Sequence, residues 1–203
     1  MEHLTVEELI AVLEEAKSHR ERDWVLCLVS FWHGLRASEA VALTPQNFAD
    51  GYLIVQRLKG SKKTVQKLAD HPDTLLNEKN AVGAWIVKHQ KHHEGRGDRE
   101  RLFPISRKQY WNLMQLYCRR AGIPQQKARP HIFKHTLASL TIQRMGIHEV
   151  QVLLGHKSGA STMRYLDTTD AEAMAKAVAA VQSQSFYRPM QLPFGNEPPK
   201  GWT

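Results

Sequence analysis

The chain has 203 residues, 42% of them hydrophobic, with 28 lysine and arginine residues against 20 aspartate and glutamate residues. This length and apolar content predict a folded protein of one domain, with or without a small appendage, and argue against a disordered chain. The net charge of +8 favours a polyanionic partner, because clustered cations gain affinity by releasing counterions from phosphates. The longest apolar run, Trp24 to Trp32, is too short to span a bilayer, so we expect no membrane association.

The cysteine and histidine patterns do not predict a metal site. Cys27 and Cys118 stand in apolar helical sequence without the spacing of metal ligands, and we interpret them as reduced core thiols of a cytoplasmic protein. His89, His92 and His93 have the spacing of a cluster on one helix face, but no carboxylate or cysteine accompanies them. A solvated helix end is the simpler interpretation, and we expect neither a metal ion nor another cofactor.

The elements at the start of the chain are helical. Thr5 and Glu8 form a capping box that opens a first helix, and a second helix, from about Asp23 to His33, is apolar on every side and should be buried. The second helix ends at Gly34. Arg36 follows, between a buried helix and a new helix N-terminus, which is an unfavourable place for a charge unless something requires it there.

A β-hairpin is predicted next. The segments YLIVQRL and TVQKLA have strand patterns and are joined by KGSKK, which supplies a Gly-Ser turn. The cations at its tip and flanks are Arg57, Lys59, Lys62, Lys63 and Lys67. Such lysines either discourage edge pairing or bind a polyanion, and the residues alone do not decide between these two possibilities.

Two longer helices follow the hairpin. One is predicted from about Asp73 to His89, and the other from Ser106 to about Ala121. The second carries Tyr110, Trp111 and Tyr117 at a spacing more typical of core residues than of platforms for stacked bases.

The segment from residue 131 to residue 165 carries two histidines, a lysine and a tyrosine on short helical stretches. His131 and Lys134 are one helical turn apart and share a face. His156 follows a glycine in LLGH, where a helix should end and expose its side chain, and Tyr165 comes later. A hydroxyl nucleophile flanked by cationic and imidazole groups suits phosphoryl transfer, provided that more positive charge is supplied from elsewhere in the chain.

The order of these segments resembles the catalytic domain of the tyrosine recombinase, or phage integrase, family. In that family an arginine in a G-L-R-x-S-E segment is followed by a lysine on a β-hairpin, an H-x-x-R pair, an L-G-H segment and a nucleophilic tyrosine. The corresponding segments are HGLRASEA, the lysine-bearing hairpin, HIFKHTLAS, LLGH and Tyr165, spread over about residues 4 to 183. Five segments in one order are far more specific than any one of them.

The resemblance implies roles for individual residues. The implied catalytic residues are Arg36, Lys59, His131, Lys134, His156 and the nucleophile Tyr165. The implied supporting residues are Glu39, Lys62 and His135, with Lys62 also competing with Lys59 for the position of the hairpin lysine. The expected DNA contacts are Arg57, Lys62, Lys63 and Lys67.

The sequence departs from the family pattern at Lys134, which occupies the second arginine position. Arginine holds a phosphate through a flat fork of donors, whereas lysine offers a point charge, so the exchange is not conservative at a bidentate site. Either the activity is reduced, or the site is arranged to use an ammonium group.

The resemblance implies a mainly helical fold with a small antiparallel β-hairpin or sheet, and a site-specific recombinase or integrase of bacterial, archaeal, phage or plasmid origin. Such an enzyme cleaves and rejoins double-stranded DNA through a covalent 3′-phosphotyrosyl intermediate, as a dimer to tetramer on DNA and without a cofactor. The alternative is an accessory or regulatory DNA-binding protein that has kept the fold and lost efficient cleavage. Type IB topoisomerases share the nucleophile and arginine chemistry, but the short length and the LLGH segment favour a recombinase.

The domain organisation expected from the sequence is a catalytic domain over residues 1–183 and an extended tail over residues 184–203. An alanine-rich helix from about Thr169 to Gln182 should close the domain. By analogy with the family, the hypothesis is that this helix and the tail dock on a neighbouring protomer. Family members commonly carry a separate N-terminal domain, so the chain resembles either a short natural form, like the recombinases of fimbrial switches, or a piece of a longer integrase.

Overall fold

The computed structural model describes residues 2–58, 63–92, 100–142 and 144–155. All of them belong to the first of the two units into which the chain divides, Met1–Leu166. The second unit, Asp167–Thr203, lies outside the described residues, and so do the expected alanine-rich helix, the tail and the boundary predicted between them. Among the helices that the structure describes, none is both long enough and apolar enough to cross a membrane.

The described part of the chain is mainly helical. Its α-helices are α1 (Val6–His19), α2 (Glu21–Trp32), α3 (Ala37–Ala40), α4 (Glu78–His92), α5 (Arg107–Arg120), α6 (Ile132–Ile142) and α7 (Ile147–Leu153). Its strands are β1 (Phe48–Ala49), β2 (Tyr52–Gln56) and β3 (Lys63–Lys67), which form one antiparallel sheet in the order β1-β2-β3. Short 3₁₀ turns occupy Pro45–Asn47 and Gln125–Lys127. The predicted fold class is confirmed.

The core is built around α2. Its side chains from Asp23 to Phe31 are buried, and it packs against α1, α4 and α6. The sequence requires this position, because a helix that is apolar on all sides is stable only when it is covered on all sides. The helix before it, α1, begins as its capping box predicts, since Thr5 Oγ1 accepts from Glu8 N and Glu8 Oε2 accepts from Thr5 N.

The strands of the predicted hairpin, β2 and β3, alternate between core and surface. In β2, Leu53 and Val55 point into the core, and the same alternation carries Arg57 inward just after the strand. In β3, Lys63 and Lys67 are exposed. Two cations on the flanks of one hairpin thus face solvent, while a third is buried beneath it.

Two expectations about α4 are wrong. The helix does not begin at Asp73 but at Glu78, because Asp73 Oδ1 accepts a hydrogen bond from Leu75 N and holds a turn instead. His89 is not at a solvated helix end. It is 6% exposed, and its Nε2 lies 3.0 Å from the carbonyl oxygen of Arg101.

The aromatic residues of α5 divide between core and surface. Tyr110 and Tyr117 are buried as predicted, and so are Cys27 and Cys118. The prediction that Trp111 belongs to the core is wrong, since it is 40% exposed. A single helix can bury only one side, and Trp111 lies next to Tyr110, which faces the core.

Candidate active site

Glu39 is a buried carboxylate that receives four hydrogen-bond donors. Its Oε1 accepts from Arg36 Nη1 at 2.8 Å and from Leu58 N at 3.0 Å. Its Oε2 accepts from Arg36 N at 2.9 Å and from Arg57 Nη1 at 3.2 Å. Burial raises the pKa of Glu39, but these donors more than offset that effect and hold the pKa below its usual value. Glu39 is therefore ionised at neutral pH and fixes the orientation of two guanidinium groups.

Arg36 directly precedes α3, and its side chain is 33% exposed. It lines a cleft of about 510 Å³ together with Arg107, Lys108 and Trp111 of α5 and with His131. Lys108 Nζ lies 4.2 Å from the centroid of the Trp111 ring, a cation–π distance. A cleft lined by three basic side chains, an imidazole and an exposed aromatic ring is suited to a polyanion with stackable groups.

Lys134 lies on α6 and is only 9% exposed. Its Nζ donates a hydrogen bond to the carbonyl oxygen of Leu154 at 2.9 Å. Burial, together with the positive charges of Arg36 and Arg57, lowers the pKa of Lys134 to about 8. The ammonium group is therefore protonated at neutral pH, but it loses its proton much more readily than a surface lysine does.

His131 and His135 form a pair of imidazoles at the start of α6. Their ring centroids are 5.2 Å apart and the rings meet edge to face. Partial burial and the nearby charge of Arg129 lower the pKa of His131, and burial together with His131 lowers the pKa of His135 to about 4. Both rings are therefore neutral at neutral pH, the state in which an imidazole accepts a proton.

Gly34 sets the distance between the Arg36 segment and the helices that follow. It has φ of +53°, a backbone conformation that residues other than glycine rarely adopt. A Cβ atom at this position would lie 2.8 Å from Leu154 Cδ2 and 3.5 Å from Lys134 Cγ. The absence of a side chain lets the turn before Arg36 pack directly on α6 and on the end of α7.

The structure thus brings together four of the residues singled out from the sequence: Arg36, Glu39, His131 and Lys134. His135 lies beside His131. The glycine of LLGH, Gly155, has φ of +62° just after α7, as expected where a helix ends. Four other candidates lie outside the described residues, and their roles stay predictions: Lys59, Lys62, His156 and Tyr165.

Arg57 does not lie where a DNA contact was expected. Its guanidinium group is 0% exposed and is hydrogen-bonded inside the protein, so it has no surface from which to reach a phosphate. The alternation of Leu53 and Val55 in β2 with Arg57 just after the strand was the sequence signal for this burial. Lys63 and Lys67 do have exposed positions. Sequence reasoning also missed Arg107, Lys108 and the exposed Trp111 as lining residues of the cleft, because no pattern on α5 relates it to Arg36.

A sequence profile described as the phage integrase family matches residues 1–172. The chain belongs to the phage integrase family. Among the curated members, tyrosine recombinase XerA of Pyrococcus furiosus is 31% identical over 173 residues, which cover 82% of this chain and 57% of that protein. Tyrosine recombinase XerC of Chlamydia pneumoniae is 29% identical over 178 residues, which cover 81% of this chain and 53% of that protein. The chain spans a little over half the length of these relatives.

Solved structures of integrase family members share the fold. The crystal structure of XerA recombinase gives a TM-score of 0.70 at 22% identity, covering 89% of this chain and 65% of that one. The catalytic domain of bacteriophage HP1 integrase gives 0.63 at 22% identity, covering 94% and 99%. The XerH site-specific recombinase bound to its difH substrate, in a pre-cleavage complex, gives 0.65 at 21% identity, covering 86% and 53%. The described helices and sheet therefore have the fold of the HP1 integrase catalytic domain.

Proposed function

We propose that the chain cleaves and rejoins double-stranded DNA at specific sites through a covalent 3′-phosphotyrosyl intermediate. The observation that carries this proposal is that Arg36 and His131, distant in sequence, line one cation-rich cleft. Lys134, one helical turn from His131, lies close enough to Arg36 for the charge of Arg36 to lower its pKa. Support also comes from two relatives that are named tyrosine recombinases and from XerH, which was solved with its DNA substrate.

In the proposed reaction the Tyr165 oxygen attacks the scissile phosphorus, and the phosphoester bond to the 5′ oxygen of the next nucleotide breaks. A tyrosine hydroxyl has a reference pKa of about 10, so its proton must pass to a base, for which His156 and the neutral ring of His131 are the candidates. The leaving 5′ oxygen takes a proton from Lys59 or Lys62. Rejoining reverses these steps with the 5′ hydroxyl of another strand, so no nucleotide cofactor is consumed.

Arg36 and Lys134 supply positive charge to the non-bridging phosphate oxygens, on which charge builds up in the transition state. An ammonium group has three donors, of which Lys134 uses one on the carbonyl of Leu154. Within the described part of the chain Nζ has no second acceptor, which leaves two donors for a phosphate. This count favours the second possibility raised by the sequence, a site arranged to use an ammonium group.

We infer that DNA lies along the cleft and the exposed side of the hairpin. The side chains proposed to contact the DNA phosphates are Lys62, Lys63 and Lys67 of the hairpin and Arg107 and Lys108 of α5. Trp111 offers a ring for stacking at the same cleft.

We also propose assembly as a dimer to tetramer on DNA, with the last helix and tail docking on a neighbouring protomer. Deletion of residues 168–203 should then abolish cooperative assembly, and unchanged multimers on DNA would count against this part.

The decisive experiment traps the covalent intermediate. Since the target sequence is unknown, we would use a pool of nicked duplexes with randomised sequence around the nick, so that the strand leaving after cleavage is too short to be religated. A denaturant-resistant protein–DNA adduct should form with the wild type and be absent with Tyr165→Phe, and sequencing the trapped DNA would identify the site. DNA binding by both proteins with no adduct from the wild type would refute the proposal and favour an accessory DNA-binding role.

A further inference from the structure

The side chain of Arg57 is a buried guanidinium group whose donors all meet acceptors of the protein itself. A guanidinium group carries five N–H donors in a fixed plane. Nε donates to Thr64 Oγ1 at 3.1 Å, and Nη2 donates to the carbonyl of His33 at 2.6 Å and to Gln66 Oε1 at 3.2 Å. Nη1 donates to Glu39 Oε2 at 3.2 Å and, at a longer 3.5 Å, to the carbonyl of Gly34. No donor is left over for an external ligand.

These acceptors come from two parts of the chain that flank the candidate active site. The carbonyls of His33 and Gly34 and the carboxylate of Glu39 surround Arg36 in sequence. Glu39 also accepts hydrogen bonds from the main chain and the guanidinium group of Arg36. This one carboxylate therefore links the position of Arg57 to the position of Arg36. The other acceptors, Thr64 and Gln66, belong to β3.

The same side chain reaches the end of α7. Gln66 accepts from Arg57 through Oε1 and donates through Nε2 to the carbonyl of Leu153 at 2.8 Å. That carbonyl belongs to the last turn of α7, where carbonyls have no partner within the helix. Gly155 lies directly over Arg57, since a Cβ atom there would come within 3.3 Å of Arg57 Cγ and Nε. Arg57 therefore packs against the LLGH segment itself, next to the residue that directly precedes His156.

We propose that Arg57 is a positioning residue, which holds the Arg36 segment and the C-terminal end of α7 in one fixed arrangement. It orients phosphate-binding and proton-transferring groups without touching DNA. This role deepens the proposed function and depends on it for its catalytic meaning. Lysine cannot replace Arg57 in this role, because an ammonium group has three donors and no planar fork with which to span Thr64, Glu39 and the turn carbonyls.

The test compares Arg57→Lys, which keeps the charge, with Gln66→Met, which removes the link to Leu153 together with the contacts that Gln66 Oε1 makes with Arg57 and His33. Arg120→Gln, at the exposed end of α5, is the matched control. We expect duplex binding by Arg57→Lys within about threefold of wild type, because no phosphate contact is lost, and adduct formation on the nicked pool lower by about tenfold or more. Gln66→Met should lower adduct formation less, and Arg120→Gln should leave it unchanged. Adduct formation by folded Arg57→Lys within about threefold of wild type would overturn the proposal.

Hydrogen–deuterium exchange separates this role from general stability and does not require activity. If Arg57 positions the two segments, Arg57→Lys should speed exchange in residues 33–40 and in residues 150–155, with α1 unchanged. Gln66→Met should speed exchange most in residues 150–155, because the acceptors that His33, Gly34 and Glu39 offer to Arg57 are unchanged. Equal acceleration in every segment, or none in these two, would overturn the proposal. If the wild type itself forms no adduct, the proposed function fails, and the exchange pattern still decides whether Arg57 couples the two segments.

Discussion

The side-chain ammonium group of Lys134 donates a 2.9 Å hydrogen bond to the main-chain carbonyl of Leu154. This carbonyl lies just past the last residue of α7, where a cation is favoured by the unpaired carbonyls and by the helix dipole. The residue in the second arginine position is thus bound to the protein's own backbone while it also faces Arg36. Its contributions to stability and to chemistry should be separable.

Lys134→Met should raise the free energy of unfolding at pH 7 by about 1–2 kcal/mol, because burying the ammonium group costs more than its hydrogen bond returns. The folded pKa of about 8 lies below the ordinary value of 10.5, so this cost is present below pH 8. Between the two pKa values the folded state has lost the proton that the unfolded state keeps, and wild-type stability rises. Urea unfolding should therefore show a smaller difference in stability between Lys134→Met and wild type at pH 10 than at pH 7. Lys79→Met, at an exposed site, is the control, and a gain independent of pH would contradict this account.

Lys134→Arg should lower adduct formation at pH 7, because a guanidinium group is larger than the buried space that holds Nζ against Leu154. The pH dependence should also change. In the wild type the ammonium charge is lost as the pH rises through about 8, whereas arginine stays charged. Single-turnover adduct rates, measured over about three pH units from about pH 6.5 to 9.5, should decline for wild type relative to the variant. A higher rate for the variant at pH 7 would identify the lysine as a partial defect.

Gly34→Ala should destabilise the protein more than Gly51→Ala does. Both glycines have positive φ, +53° and +79°, so alanine is strained at either position, at a cost of about 1–2 kcal/mol. Only at Gly34 does the new Cβ collide, since Leu154 Cδ2 lies 2.8 Å away, whereas nothing lies within 4 Å at Gly51. Chemical denaturation should give a difference of about 1 kcal/mol or more between the variants. Equal losses would mean that the end of α7 moves aside freely.

Lys108→Gln should weaken binding to any duplex and reduce the salt dependence of binding, because one phosphate contact in the cleft is lost. The slope of log affinity against log salt should fall by about one unit. Arg120→Gln removes a cation from the far end of the same helix and should leave the slope unchanged. The measurement is fluorescence anisotropy with a labelled duplex over a salt series. Equal effects of the two variants would place the DNA elsewhere on the surface.

Much of the local structure could be predicted from short-range patterns. The capping box of Thr5 and Glu8 fixed the start of α1, and the apolar run of α2 required a central position. Arg36 and Glu39 are three residues apart, and so are His131 and Lys134, so each pair shares one helical turn in any fold that keeps those turns. Such features depend on atoms within a few residues of one another, which is why the sequence carries them.

Tertiary structure supplied the acceptors that allow one of the hairpin cations to be buried. Arg57 and Lys63 flank the same predicted hairpin, yet one is buried and the other faces solvent, because the acceptors that make burial of Arg57 possible come from His33, Glu39 and Gln66. Trp111 faces the Arg36 cleft because tertiary packing places α5 beside the Arg36 segment.

The sequence by itself thus determined the fold class, the order of the family segments and the pairs that share a helical turn. Only the folded chain decided that Lys134 is held by Leu154, that its pKa falls to about 8, and that Arg57 pairs with Glu39 inside the protein. A local pattern fixes which side chains are neighbours along an element. The free energy of a buried charge depends on donors and acceptors that only folding brings to it.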